Sequence, residues 1–196
     1  SSAVALAELE ARHGPVDVSV LVPTRNESGN VAVLTERLSE VMNVDDRSWE
    51  LLFLDDSDDA TPGMVSGLRA QHPQISLLHR RPDQRVGGLS GAVVAGFGAA
   101  RGRAMVVMDA DLQHPPDMAR ALAAPVLAGN CDVAIASRYV TGASAAGLDG
   151  GRRRLISRTC AALVHALVPK TRGIRDPMSG FFAVSRASTS MRILKP

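Results

Sequence analysis

The chain is poor in the residues that mark several classes of protein. It has two cysteines, Cys131 and Cys160, which form neither a metal-site spacing nor a disulfide framework, so we expect a reducing compartment. No apolar run reaches the roughly 18 residues that a membrane-spanning helix requires. The net charge of +2 is too small to indicate nucleic acid as a partner. Aromatic residues are only 3% of the total, so aliphatic side chains must fill the core.

The remaining composition is that of one globular domain. The 196 residues are 45% hydrophobic and 21% charged, which is enough apolar material for a substantial core. Strand-like runs alternate with stretches of helical periodicity. Strands are predicted at 16–22 (stopped by Pro23), 50–54, 75–79, 104–108, 132–136 and 181–184, and helices at 31–41, 61–72, 92–100, 116–128 and 155–168. No terminal element is expected after the last strand.

This alternation predicts an α/β fold with a mostly parallel sheet and helices on both faces. In such sheets ligands bind at the carboxyl ends of the strands. Polar groups follow four of the predicted strands, in the stretches Pro23–Glu27, Asp55-Asp56, Asp109-Ala-Asp111 and Ser137-Arg138. We therefore expect these groups to meet along one edge of the sheet.

The strongest chemical signal is the pair of acids, Asp109 and Asp111, that follows the strand predicted at 104–108. Because side chains alternate along a strand, Asp109 and Asp111 are predicted to point the same way. Two carboxylates held together repel unless a cation lies between them, and Mg²⁺ prefers oxygen ligands. The amide oxygen of Gln113 can join the same shell. The pattern predicts a site for Mg²⁺ or Mn²⁺, and a loop with helix-capping acids stays open as the alternative.

Three of these stretches resemble the inverting GT-A glycosyltransferases of family 2: Val20-Leu-Val-Pro-Thr-Arg-Asn-Glu27, Phe53-Leu-Asp-Asp-Ser-Asp-Asp-Ala-Thr61 and Met108-Asp-Ala-Asp-Leu-Gln-His-Pro-Pro-Asp117. Two more, Ala136-Ser-Arg-Tyr-Val140 and Asp176-Pro-Met-Ser-Gly-Phe-Phe182, resemble the polyprenyl-phosphate (dolichol-phosphate) mannosyltransferases within that family. The resemblance implies a GT-A catalytic domain over 16–196, truncated at its C-terminus, after a tail or short helix at 1–15.

The resemblance also implies roles for individual residues. The nucleotide-sugar site is expected to contain Pro23, Arg25, Glu27, Leu54, Asp56, Asp109, Ala110, Asp111 and Arg138. The metal ligands are Asp109, Asp111 and Gln113, and the lipid phosphate is expected to meet Arg138, Arg152, Arg154 and Ser179. The residues assigned to catalysis are Asp111, Arg138 and Asp176.

Two departures from the family pattern concern the nucleotide end of this site. Arg25 stands where the family usually has Tyr, which alters stacking near the base. The loop after Asp55-Asp56 is one residue shorter than usual, which leaves the role of Asp59 open.

The implied reaction transfers a hexose, with mannose from GDP-mannose favoured, to a polyprenyl phosphate. The acceptor phosphate is already an anion, so the site must mainly stabilise charge on the departing diphosphate with a metal and arginines. A hydroxyl acceptor would instead need Asp176 as a general base. The expected partners are a nucleotide sugar, the lipid and the membrane surface, at the cytoplasmic face, with no nucleic acid.

Three alternatives stay open. The first keeps the lipid acceptor and takes glucose from UDP-glucose. The second is a nucleotide-sugar-binding fragment without turnover. The third is a nucleotidyltransferase, which normally has a glycine-rich loop after its first strand, and the stretch Pro23–Glu27 lacks those glycines.

Overall fold

The computed structural model describes residues 14–113, 115–136 and 180–193. The strands of these ranges are β1 (Val16–Thr24), β2 (Trp49–Asp55), β3 (Ile75–His79), β4 (Gly102–Val107), β5 (Val133–Ile135) and β6 (Phe182–Ser185). The helices are α1 (Val31–Met42), α2 (Thr61–Leu68), α3 (Gly88–Ala99), α4 (Asp117–Leu127) and α5 (Arg186–Ile193). Most of the expected tail at 1–15, the helix predicted at 155–168 and residues 176–179 of the stretch Asp176–Phe182 lie outside these ranges.

The sheet confirms the prediction of a mostly parallel arrangement. Its six strands have the order β3-β2-β1-β4-β6-β5, and the first four run parallel to one another. Strand β6 is antiparallel to both of its neighbours. The carboxyl ends of β1, β2, β3 and β4 therefore share one edge of the sheet.

Helices cover both faces of this sheet, as predicted. On one face, Leu34 of α1, Val65 of α2 and Leu122 of α4 pack with Val20 and Phe53. On the other face, α3 packs over the alternate strand residues, which include Leu21, Leu52 and Leu54. The four phenylalanines of the chain are all buried, and aliphatic side chains supply most of the remaining core.

Strand β1 continues to Thr24, so the prediction that Pro23 stops it is wrong. The carbonyl of Leu21 accepts a hydrogen bond from Met108 N on the β4 side, and that of Thr24 accepts one from Asp56 N on the β2 side. The backbone N–H and C=O groups of successive residues point toward opposite neighbouring strands. The backbone nitrogen of Pro23 therefore faces the β4 side, beyond the last paired residue of β1 and β4. Its missing N–H therefore breaks no ladder bond.

Helix α2 ends at Leu68 and not near His72. Gly63 and Gly67 lower its helix propensity. After Leu68 the chain tightens into a turn in which Ala70 N donates to Gly67 O. Pro73 also disfavours the helical conformation at the residue before it.

The start of α3 and the presence of α5 also differ from expectation. Helix α3 begins at Gly88, four residues before Ala92, because Gly87 adopts a left-handed conformation with φ of 78° and its carbonyl accepts the Gly91 N–H. Helix α5 was not expected, since its sequence lacks an apolar stripe. It is anchored instead by polar contacts, including Arg186 Nε to Gly102 O at 2.9 Å.

The other predicted strands and helices in the described ranges lie within about two residues of those observed. Over the same ranges, none of the helices has both the length and the apolar character needed to cross a bilayer.

Candidate functional site

The carboxyl ends of β1, β2 and β4 bring three of the four predicted polar stretches to one edge. Asp56 N donates to Thr24 O at 2.9 Å, which joins the ends of β1 and β2. The charge of Glu27, in the loop after β1, acts on Asp109 at the end of β4. The fourth stretch, Ser137-Arg138, lies outside the described residues.

Asp109 is half-buried and follows β4 at this edge of the sheet. Burial, followed by the charges of Asp111 and Glu27, raises the pKa of Asp109 to about 6. No hydrogen-bond donor or cation among the described residues partners its carboxylate. The three acids therefore form a site of concentrated negative charge, which a cation would relieve.

Asp111 lies in a tight turn at the surface. Its Oδ1 accepts a hydrogen bond from Gln113 N at 3.1 Å. Leu112, between them, has a φ of 60°, a left-handed conformation that is uncommon for leucine, and its side chain packs against the core. The turn leaves the side chains of Asp111 and Gln113 exposed while Asp109 stays half-buried.

The oxygen donors of Asp109, Asp111 and Gln113 suit a hard divalent cation. The described ranges contain no group of three or more His, Cys, Asp or Glu side chains arranged to hold a metal. An ion held here would therefore rest on two carboxylates, one amide oxygen and further oxygens. This is the usual state of Mg²⁺, which proteins hold by one or two carboxylates together with substrate phosphates.

The neighbouring acids at the end of β2 have different environments. Asp55 is buried and accepts hydrogen bonds from Thr24 Oγ1 at 2.8 Å and Ser57 Oγ at 2.5 Å. Its other oxygen lies 2.6 Å from His79 Nδ1. Asp55 therefore has three protein partners and no exposed surface, and it holds the ends of three strands together.

Asp56 is held by Arg80, which no sequence motif marked. Arg80 is only 7% exposed and donates from Nε and Nη2 to the two Asp56 oxygens at 2.8 and 2.6 Å. The same Nη2 donates to Gly88 O at the start of α3, at 2.8 Å. A carboxylate accepts about four hydrogen bonds, so Asp56 retains capacity for a ligand. The sequence feature that could have identified Arg80 is its position directly after β3, at the same edge of the sheet.

The loop after β1 is fixed to the loop after β2. Asn26 has a φ of 59°, and its N–H donates to Ser57 Oγ at 2.8 Å. Glu27 N donates to Thr61 Oγ1 at 3.0 Å. Asp59, whose role was open, accepts hydrogen bonds from the N–H and hydroxyl of Thr61, which lower its pKa. Asp59 therefore orders the start of α2 and, through Thr61, the loop that carries Glu27.

The predicted site residues divide into three groups. Those at the shared edge are Pro23, Arg25, Glu27, Asp56, Asp109, Asp111 and Gln113. Leu54 and Ala110 are buried in the two hydrophobic clusters, so only their backbone is available to a ligand. Those outside the described residues are Arg138, Arg152, Arg154, Asp176 and Ser179. One further residue, Gly180, lies against the Asp109 carboxylate and was not among the predicted site residues.

Comparison with known proteins identifies relatives along most of the chain. It is similar to the dolichol-phosphate mannosyltransferase of Pyrococcus furiosus, at 38% identity over 170 residues that cover 86% of this chain and 46% of that protein. It is also similar to the dolichol-phosphate mannosyltransferase of Saccharomyces cerevisiae, at 34% identity, with 87% and 61% covered. This chain thus spans about half to three fifths of the length of these curated relatives.

A solved structure with a similar fold is the glucosyl-3-phosphoglycerate synthase of Mycobacterium tuberculosis in complex with Mn²⁺, uridine diphosphate and phosphoglyceric acid. The TM-score is 0.55 at 25% identity, over 93% of this chain and 60% of that one. The likeness confirms the predicted GT-A fold. Residues 19–187 match the family model described as Glycosyl transferase family 2. The chain belongs to glycosyl transferase family 2.

Proposed function

We propose that the chain forms the catalytic part of a metal-dependent, inverting glycosyltransferase. Its reaction moves a hexose from a nucleotide sugar to a polyprenyl phosphate, with mannose and GDP-mannose favoured. The observation that carries the proposal is the half-buried Asp109 carboxylate beside Asp111 and Glu27, at the carboxyl edge of the sheet. Identities of 34–38% to proteins named dolichol-phosphate mannosyltransferase support the choice of sugar and acceptor.

The donor is proposed to lie across the ends of β1, β2 and β4. The loop that carries Arg25 and Glu27 is fixed to the loop after β2, so it presents a preformed wall to the base and ribose. Asp56, oriented by Arg80, accepts hydrogen bonds from the nucleoside. Arg25 stacks on or pairs with the nucleotide in place of the family's usual tyrosine.

The diphosphate is proposed to lie over Asp109 and Asp111. These carboxylates and the Gln113 amide oxygen would hold Mg²⁺ or Mn²⁺, and the ion would offset the negative charge of the departing diphosphate. Glu27 adds to the negative potential that attracts the cation. The solved relative that contains Mn²⁺ and uridine diphosphate supports a divalent ion.

The acceptor is proposed to be a lipid phosphate bound by Arg138, Arg152, Arg154 and Ser179. One of its oxygens attacks the anomeric carbon of the sugar as the bond to the nucleoside diphosphate breaks, which inverts the configuration. The phosphate is ionised near neutral pH, so Asp176 need not take a proton. We place the protein at the cytoplasmic face of a membrane, as a peripheral protein without a nucleic-acid partner.

A second candidate keeps this site and changes the donor to UDP-glucose. It is favoured by the departure at Arg25, which alters the surroundings of the base, and by the structural likeness to a protein solved with uridine diphosphate. The two candidates differ only in which nucleotide sugar binds.

Calorimetric titration of the chain tests the proposal. GDP, GDP-mannose, UDP and UDP-glucose are each titrated with and without Mn²⁺, and transfer to a short polyprenyl phosphate is assayed with the preferred donor. We expect the GDP pair to bind only with metal. A preference for UDP would select the second candidate, and absence of metal-dependent binding of all four ligands would refute both.

The Asp111→Ala variant tests the metal assignment within the same assay. We expect it to abolish metal-dependent nucleotide binding with little change in the melting temperature, because Asp111 is exposed and supports no core contact. The matched control is Asp46→Ala, which removes an exposed carboxylate from the loop before β2, at the opposite edge of the sheet. Unchanged affinity in Asp111→Ala would refute the assignment.

A further inference from the structure

Gly180 lies beside Asp109, just beyond the paired ends of β4 and β6. Strands β4 and β6 pair in an antiparallel register that joins Val106 to Ala183 and Val107 to Phe182. Two residues further along the same register, Asp109 faces Gly180. Side chains on directly opposed residues of an antiparallel pair lie on the same face, with Cβ atoms about 4.5–5.5 Å apart. A side chain at position 180 would therefore stand beside that of Asp109.

The Asp109 carboxylate occupies the space that such a side chain would need. A Cβ atom built on Gly180 would lie 2.9 Å from Asp109 Oδ2, 3.4 Å from Oδ1 and 3.5 Å from Cγ. Gly180 has no left-handed φ, unlike Gly87, so its backbone conformation is open to any residue. Glycine is therefore required at position 180 because the Asp109 carboxylate leaves no room for a side chain.

If a side chain were added at position 180, β6 could shift less readily than the Asp109 carboxylate. Phe181 and Phe182, which follow Gly180, are at most 1% exposed, and the carbonyl of Phe181 accepts a hydrogen bond from Ala136 N at 3.0 Å. The Asp109 carboxylate, by contrast, receives no hydrogen bond from the described residues that would fix its rotamer. Packing against Gly180 is one contact that limits where its oxygens lie.

We propose that Gly180 is a positioning residue for the metal-binding carboxylate of Asp109. By lacking a side chain, it lets the carboxylate rest against the start of β6 in the orientation that the metal and diphosphate require. The inference rests on the proposed function and adds a residue to its machinery that acts only through Asp109.

The first test is the Gly180→Ala variant, titrated with GDP (or UDP, if preferred) at several Mn²⁺ concentrations. Loss of a residue that orients a metal ligand typically lowers metal affinity about 10- to 100-fold, and we expect a loss in that range. The matched control is Gly98→Ala in α3, where an added Cβ would meet no atom within 4 Å. The control should bind as the wild type does. Wild-type affinity in a folded Gly180→Ala variant would overturn the proposal.

The second test separates this contact from general packing of β6. Melting temperatures without metal are compared for wild type, Gly180→Ala, Asp109→Ala and the double variant. If the added methyl group clashes only with the carboxylate, Gly180→Ala lowers the melting temperature of the wild type and does not lower that of the Asp109→Ala variant. Equal lowering in both backgrounds, or failure of the double variant to fold, would overturn the proposal.

The two tests also distinguish this inference from the proposed function. If the wild type binds no nucleotide in a metal-dependent way, the proposed function fails, and the positioning role fails with it. If the wild type binds and Gly180→Ala binds equally well, only the positioning role fails. The melting cycle reports on the Asp109 contact in either case, because it requires no ligand.

Discussion

Each of the two edges of the sheet contains a carboxylate that is shielded from solvent. The protein supplies hydrogen-bond partners to one of them and not to the other. At the amino edge, Glu50 is 0% exposed and accepts hydrogen bonds from Ser19 Oγ at 2.5 Å, Arg101 N at 2.7 Å and Arg101 Nε at 2.9 Å. At the carboxyl edge, Asp109 has no such partner among the described residues and faces two further acids.

The difference separates an edge that contributes to stability from the edge at which we propose that the ligand binds. A buried charge that the protein satisfies completely has no capacity left for a ligand, and its removal exposes an uncompensated partner. A shielded charge surrounded by like charges destabilises the protein until something from outside neutralises it. Asp55 and Asp56 repeat the contrast at the end of one strand, since Asp55 has three protein partners and no exposed surface, whereas Asp56 keeps capacity for a ligand.

The largest effect is expected at the amino edge. Arg101→Ala would leave Glu50 buried without its cation, and breaking such a pair costs about 3–5 kcal/mol of unfolding free energy. Urea denaturation measures the loss. Arg103→Ala is the control, because that arginine is exposed and lies 3.4 Å from Asp17, a type of pair worth about 1 kcal/mol or less. Similar losses in the two variants would contradict the contrast between the edges.

Replacement of Asp109 is expected to have a smaller effect of opposite sign, a gain in the free energy of unfolding. Its pKa is about 6 in the folded chain and about 3.9 when unfolded, so the folded state binds more protons between those values. The stability that Asp109 contributes is present below about pH 4 and is lost as the pH rises through about 6. The cost of ionisation is at most about 3 kcal/mol, and partial solvation reduces it.

Urea denaturation between about pH 4 and pH 7 tests this sign. We expect Asp109→Asn to gain stability relative to the wild type as the pH rises. A difference that stays constant over this range would mean that Asp109 ionises with an ordinary pKa. Metal-dependent nucleotide binding should weaken below about pH 6, because a ligand carboxylate must lose its proton.

The smallest effect is expected for Arg80→Lys, which alters how Asp56 is presented. Lysine keeps the positive charge but cannot donate two parallel hydrogen bonds to the carboxylate. We expect nucleotide affinity to fall about tenfold, at the lower end of the range for a residue that supports a binding group. Arg81→Lys, at the next and exposed position, should have no effect on affinity. An unchanged Kd in Arg80→Lys would show that Asp56 does not depend on Arg80.

Local pattern was sufficient to predict the strands, the shared edge and the nearness of Asp109 to Asp111. It did not predict the partners of the acids, because Arg80 lies 24 residues from Asp56 and Arg101 lies 51 residues from Glu50. Periodicity contains no information on contacts of that range. The role of Gly180 was hidden for the same reason, since it depends on the pairing of β6 with β4.

Helix α5 and the end of β1 show the other limit of local pattern. A helix without an apolar stripe gives no periodic signal, and here polar contacts such as that of Arg186 hold it. Pro23 ends a strand only where its missing N–H would face a partner, and the sheet order decides that. Both outcomes depend on tertiary context that a single strand or helix does not contain.

The position of β6 between β4 and β5 imposes an order on folding. Among the described residues, β5 pairs only with β6, so this pairing cannot form until residues 182–185 have been synthesised. Until then β4, with Met105, Val106 and Val107 in its apolar run, is an unpaired edge, and such edges invite pairing between chains. A nascent chain that ended before β6 would therefore combine an incomplete binding site with an aggregation-prone surface.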